Sequence, residues 1–198
     1  MRAGWAALAL LCAGAQEKDP AAPAEFKVKF ETSKGDFVVK VTRDWAPRGA
    51  DRFHALVKAQ YFDGARFYRV LPKYVAQFGY HADPKVSAAW REKAIEDDAV
   101  KEKNIRGTLT YAKSGADSRT TQMFINLKDN PALDKQGFAP FATVIEGMEI
   151  VDQLHSGYGE GAPKGRGPSQ ERIFKEGNAY LEKSFKDLDH IKSARLAE

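Results

Sequence analysis

The sequence predicts a mainly β fold, a barrel or sandwich with helices at its ends. Two observations carry this. Short segments of strand type recur along most of the chain, and only two segments carry a helical stripe fit to cover a core. The length of 198 residues suits one domain with a real core.

The first strand begins at Phe26. Phe26, Val28 and Phe30 alternate with Lys27, Lys29 and Glu31, the period of a half-buried strand. Ser33-Lys34-Gly35 makes a turn, and Phe37, Val39 and Val41 repeat the pattern, so the two segments form a hairpin. Pro47 suits a helix start, where a missing N–H costs nothing. Ala46, Ala50, Phe53 and Val57 then follow helical spacing. Further strands are expected over 66–71, 74–79, 107–112, 123–127 and 141–144. A second helix is expected over 148–154, a peripheral third over 177–185, and a last strand over 191–196. Residues 157–168 read GYGEGAPKGRGP, expected as a flexible surface loop; they carry neither a Walker pattern nor the dinucleotide glycine spacing.

Residues 1–15 read as a signal peptide: Arg2, then an apolar stretch from Trp5 to Leu11 too short to span a bilayer, then Ala13-Gly14-Ala15 as a cleavage site. A misplaced start and a short anchor are the competing readings. Leu11 stands before Cys12 where a lipoprotein would carry a small residue. Cleavage after Ala15 removes the only cysteine, so the exported chain relies on its core without a disulfide. Residues 16–25, with Pro20 and Pro23, read as a flexible leader to a domain spanning 26–198. The chain is expected to be periplasmic or secreted, monomeric and off the membrane once cleaved. The net charge of +4 comes from mixed, scattered charges, which gives no footprint for nucleic acid.

Familiar reactive patterns are missing. There is no H-E-x-x-H, no G-x-S-x-G and no paired-carboxylate motif. His54, His81, His155 and His190 are scattered and read as surface or helix-face residues, so no metal or other cofactor is expected. The adjacent Asp97 and Asp98 read as a solvated loop. What remains is a polar and aromatic set on strands. Phe67, Arg69 and Leu71 share one side of a strand by period two. An arginine among apolar neighbours is costly to bury without partners, and on pattern alone it reads as an edge residue that snorkels to water. Gln122 and Phe124 share one side of another strand, opposite Met123 and Ile125; a rim glutamine and a core phenylalanine is the plain reading.

Three segments in order, FYRVLPKYVAQFG, GTLTYAKSGADSRTTQMFINL and NPALDKQGFAPFATVIEGMEIVDQL, resemble the signature segments of cyclophilins, with similarity from about Phe26 to Leu154. The resemblance implies a closed, eight-stranded antiparallel β-barrel with two capping helices. It also implies peptidyl-prolyl cis-trans isomerase activity without a cofactor, acting on proline-containing peptides and unfolded proteins. Arg69 stands at the family's catalytic arginine and Gln77 at the glutamine that positions substrate. Tyr74 and Val75 match the phenylalanine and methionine of the proline pocket. Ala112 matches a small residue whose backbone faces the peptide, and Lys113 follows it where many members have asparagine. Gln122 and Phe124 match the next glutamine and the pocket floor. Leu133 matches the pocket leucine, and Phe138 falls near the pocket histidine. Ala132 replaces a tryptophan that helps bind cyclosporin, so weak cyclosporin binding is expected. Phe78 and Tyr80 replace small residues and are expected to narrow the adjoining groove; Tyr68 further alters the rim. A non-catalytic peptide-binding or chaperone module on the same fold is the alternative. A nucleotide enzyme built on the 157–168 loop is a third class, which would require saturable nucleotide binding.

Overall fold

The structure, a computed structural model, describes residues 18–198. The expected signal peptide lies outside the described residues. Strands β1 (Glu25–Thr32) and β2 (Asp36–Thr42) form the expected hairpin, with Phe30 opposite Phe37 and Val28 opposite Val39. The Phe30 and Phe37 rings stack at 4.7 Å. Helix α1 (Pro47–Lys58) turns Ala50, Phe53, Leu56 and Val57 onto the sheet. Strands β3 (Arg69–Leu71) and β4 (Val75–Phe78) form a second hairpin. Helix α2 (Pro84–Arg91) follows, then β5 (Thr108–Tyr111), β6 (Met123–Asn126), α3 (Pro131–Lys135) and β7 (Pro140–Glu146). Helices α4 (Met148–Asp152), α5 (Gln170–Glu176) and α6 (Asn178–Ser184) precede β8 (Ile191–Ala197).

All strand pairs are antiparallel, in the order β3-β4-β6-β5-β7-β2-β1-β8. The sheet is an open, strongly curled half-barrel, which corrects the closed barrel expected from the sequence. β3 and β8 remain its ends, joined only by a bridge between Arg66 and His190 and by adjacent backbone bonds such as Phe67 N–H to the Asp189 carbonyl at 3.0 Å. The reason lies at 68–69. Phe67 and Val70 both enter the main core, while Tyr68 joins a second apolar cluster with Ile173, Tyr180, Leu181 and Leu188, and Arg69 also faces away from the core. Two successive side chains turned off the core break the alternation that a continuous ladder needs.

The concave side is filled by Phe30, Phe53, Phe62, Phe78 and Phe141, all fully buried. Each such ring stabilises the fold by roughly 1.5–3 kcal/mol through burial alone. Two capping helices were expected; the described residues contain six α-helical segments. α2 packs on α5, and α5 on α6, building a flank outside the sheet. This flank accounts for much of the chain length that the strand pattern leaves unassigned. Pro47, Pro84 and Pro131 each open a helix, where proline's fixed φ is pre-set.

The leader expected over 16–25 is, in its described part, docked rather than free. Asp19 accepts from the buried Arg52 at 2.7 Å, and the Ala22 N–H donates to Asp51 at 2.8 Å. Nor is Asp98 solvated, as its neighbour in sequence suggested. Its side chain is 2% exposed and paired with Arg119. Asp97 stays closer to the surface, where it accepts from Lys113 at 2.8 Å.

Candidate active site

Strand pairing sets one row of side chains straight across the outer face of the sheet. Arg69 on β3 pairs with Gln77 on β4, Gln77 with Phe124 on β6, and Phe124 with Thr110 on β5. Paired residues point the same way. Their neighbours Val70, Ala76, Phe78, Met123, Ile125, Leu109 and Tyr111 point the other way, into the core. Met123 and Ile125 thus oppose Phe124, as the alternation predicted. Phe67 does not share a side with Arg69, because Tyr68 and Arg69 both leave the core and the break at 68–69 shifts the phase. Phe78 also belongs to the core and cannot narrow the groove.

Beside this row lies an apolar cup, separate from the main core. Val75, Phe124 and Leu133 are buried in it, with Tyr74, Ala112 and Phe138 packed around them. The Phe124 and Phe138 rings meet edge to face at 5.9 Å. All six are residues singled out from the sequence. They come from four places in the chain: the β3–β4 turn with the start of β4, β6, the end of β5, and α3 with its following loop.

A buried polar network holds these places together. Asn104 donates to Asp134 and to the Phe138 carbonyl, both at 2.8 Å. Its carbonyl oxygen accepts from Thr110 at 2.9 Å and from Asn126 at 3.2 Å. Asn130 bonds the Asn126 oxygen at 2.8 Å and the Tyr74 carbonyl at 3.1 Å. Polar groups buried and satisfied in this way fix the cup walls in one arrangement. Sequence reading missed these asparagines, since Asn104 and Asn130 stand among ordinary loop residues and Asn126 reads as one more residue of a strand.

Arg69 stands at one side of the cup, its side chain 18% exposed. Its Nη1 donates to Gln77 Oε1 at 3.2 Å, and its guanidinium lies 5.9 Å from the Tyr74 ring centre. The other edge is held by Glu160, with Nε donating to Oε1 at 2.6 Å and Nη2 to Oε2 at 2.7 Å. The hydrogen bonds from Arg69 hold the Glu160 carboxyl below its usual range, and the same contact raises Arg69 further. Glu160 comes from the glycine-rich loop. The one sequence signal was a lone acid among glycines, which by itself names no partner.

Gln122 accepts from the buried Tyr68 hydroxyl at 2.7 Å, and the Ala112 N–H donates to the Gln122 carbonyl at 2.9 Å. Lys113 is tied to Asp97 and sits 5.6 Å from the Phe138 ring centre, at the cup's rim. A groove of about 750 Å³ adjoins, lined by Tyr80, Gln122, Arg91 and Phe174 among others. Tyr80 therefore does border the groove, and burial pushes its hydroxyl up to about 12. The side chains of the cup offer no nucleophile with an adjacent base. What the arrangement provides is a seat for a small apolar ring beside a fixed, permanently charged donor.

An antiparallel half-barrel with this seat on its outer face defines a protein of cyclophilin type. The chain belongs to the cyclophilin family: residues 27–175 match the description "Cyclophilin type peptidyl-prolyl cis-trans isomerase/CLD". It is 34% identical to a peptidyl-prolyl cis-trans isomerase of Acinetobacter baylyi over 139 residues, 66% of this chain and 72% of that protein. It is 31% identical to peptidyl-prolyl cis-trans isomerase B of Escherichia coli, over 75% of this chain and 93% of that one. The fold matches the crystal structure of a cyclophilin type peptidyl-prolyl cis-trans isomerase of Cryptosporidium parvum with a TM-score of 0.64 at 20% identity, covering 88% of this chain and 98% of that one. A second structure of that protein, determined in the presence of the dipeptide Ala-Pro, gives 0.63, covering 87% of this chain and 99% of that one, again at 20% identity.

Proposed function

We propose that this isomerase speeds rotation about X–Pro bonds of exported polypeptides by seating the proline ring in the cup and aiming Arg69 at the imide nitrogen. The observation that carries the reading is the placement of Arg69 in one cross-strand row with Gln77 and Phe124, at the side of the cup. The cis and trans forms of a prolyl bond differ by only about 0.5–1 kcal/mol. The barrier between them is roughly 18–20 kcal/mol, because rotation breaks the amide resonance. In the twisted state the nitrogen regains a lone pair and can accept a hydrogen bond. A guanidinium placed there binds the twisted state better than either planar one, and no covalent bond need form or break.

Phe124, Leu133, Val75, Tyr74 and Phe138 would hold the ring. Gln77 and the backbone at Ala112 and Lys113 would hold the flanking peptide, so that one side of the bond turns against the other. The Ala-Pro dipeptide used with the Cryptosporidium protein supports a proline-containing ligand here. The amino-terminal pattern at 1–15 supports export, with a mature chain starting at Gln16. Ala132, exposed on α3, offers no aromatic surface to cyclosporin, so weak binding is expected.

A peptide-binding module without turnover is the second reading. It is favoured by one observation, that the Arg69 guanidinium already carries a carboxylate. Exchange NMR on an Ala-Pro peptide separates the two. Catalytic amounts of protein should bring an exchange that takes tens to hundreds of seconds unaided down to well under a second. Phe124→Ala should raise KM about tenfold, the loss of roughly 1.4 kcal/mol of ring contact. Binding that leaves the exchange rate at its uncatalysed value would replace the isomerase reading with the module.

A further inference from the structure

We propose that Glu160 is a positioning residue for Arg69, holding one edge of the guanidinium so that the N–H groups left over are presented to the peptide. The inference rests on the reading of Arg69 as the donor.

An arginine side chain has many rotamers, and fixing it costs conformational entropy. A donor that acts on a rotating bond must be placed before the bond turns. Gln77 alone gives Arg69 one long contact at 3.2 Å, and Tyr74 gives a distant ring. Glu160 adds two short, parallel, charge-assisted bonds that fix the guanidinium plane. Together these partners take three of the five N–H groups that a guanidinium offers, and leave two for substrate.

The loop that carries Glu160 is shaped to hold it still. The Gly161 N–H donates to Glu160 Oε1 at 2.9 Å, and the Gly167 N–H donates to the Glu160 carbonyl at 2.8 Å. A Cβ at Gly165 would stand 2.2 Å from that carbonyl oxygen, and one at Gly161 would stand 2.7 Å from the Pro168 oxygen. Only residues without side chains let the backbone close this tightly. Before Glu160, Tyr158 packs edge-on against Phe185 at 5.0 Å and bonds Asp187 at 2.9 Å. The His155 N–H bonds Asp189 at 2.7 Å. The loop is thus folded on itself and anchored on the flank. Beyond the acid, the Ser169 N–H bonds the Tyr180 hydroxyl at 3.2 Å. A latch would need one end free to leave; this segment is pinned on both sides of the acid.

The test compares wild type, Glu160→Ala, Glu160→Gln, Arg69→Ala and the Arg69→Ala/Glu160→Ala double variant, each by exchange NMR on an Ala-Pro peptide with peptide affinity from the same titration. Glu160→Ala should lower kcat about tenfold, with KM and affinity altered about twofold or less. Glu160→Gln, which keeps one acceptor oxygen, should fall between it and wild type. The Arg69 Nε–H resonance, assigned by its absence in Arg69→Ala, should be sharp in wild type and broadened in Glu160→Ala. In the Arg69→Ala background, removing Glu160 should change nothing further. An inactive Arg69→Ala together with a Glu160→Ala that is unchanged or faster would overturn the positioning role alone. Arg69→Ala at the wild-type rate would remove both this role and the donor reading beneath it.

Discussion

Asp98→Ala is expected to cost about 3–5 kcal/mol of stability, the range for removing one partner of a buried pair. At this chain length that lowers the melting temperature by about 6–20 °C. The Asp98 carboxylate, 2% exposed, accepts from Arg119 Nη1 at 3.0 Å, and the Arg119 side chain is itself 3% exposed. It also accepts from the backbone N–H groups of Gly49 at 2.9 Å and Arg48 at 3.1 Å. Those donors belong to the first turn of α1, which the helix leaves unpaired. Ala46 at the N-cap has no side chain to serve them. Asp98 therefore caps α1 from another part of the chain, and its negative charge suits the positive helix end.

Without it, Arg119 would keep the Glu96 carbonyl and, 3.3 Å away, Asp97, which lies out of line for a hydrogen bond and is shared with Lys113. Asp98→Asn should lose less, since one acceptor oxygen remains for the helix. Thermal and urea unfolding of the two variants measure both effects. A midpoint for Asp98→Ala within about 1 °C of wild type would mean that the pair contributes nothing net, as at a solvated surface.

The strand frame was legible because alternation is a local property. Phe26-Val28-Phe30 and Phe37-Val39-Val41 carry their own evidence of a buried face, and β1 and β2 form as that pattern requires. The cup was legible only through likeness to cyclophilins. Nothing in the spacing of Val75, Ala112, Phe124 and Leu133 says that four separate places in the chain converge. Where tertiary partners decide, local reading failed. Asp97-Asp98 looked solvated because the arginine that buries Asp98 lies at 119. Phe67 was put on the side of Arg69 because alternation was carried through a break at 68–69, where Tyr68 and Arg69 both leave the main core. The same break leaves the barrel open. Glu160 stood in a loop that composition read as flexible, where the structure folds it on itself, and its single acid had no visible partner in the sequence.

Arg69→Ala carries the largest expected loss of activity. Removing a preorganised donor from the place where a transition state gains an acceptor costs about 10²–10³ in rate. The fold should survive. Arg69 lies near the end of a three-residue edge strand, and its partner Glu160, 36% exposed, can be solvated once left alone. The apolar cup is untouched, so the proline ring should still bind. The loss should therefore appear in kcat and in kcat/KM by nearly the same factor, the mark of a contact made only in the transition state. Arg69→Lys keeps the charge but not the planar fork held by Glu160 and Gln77, and should stay close to the alanine variant.

The most direct measurement is the cis–trans exchange rate of an Ala-Pro peptide at saturation, read by exchange NMR for wild type and Arg69→Ala, with bound fraction taken from the same spectra. An equal bound fraction with exchange slowed about a hundredfold or more is the predicted result. Equal exchange at equal occupancy would contradict it, and would mean that the guanidinium does not grip the turning nitrogen.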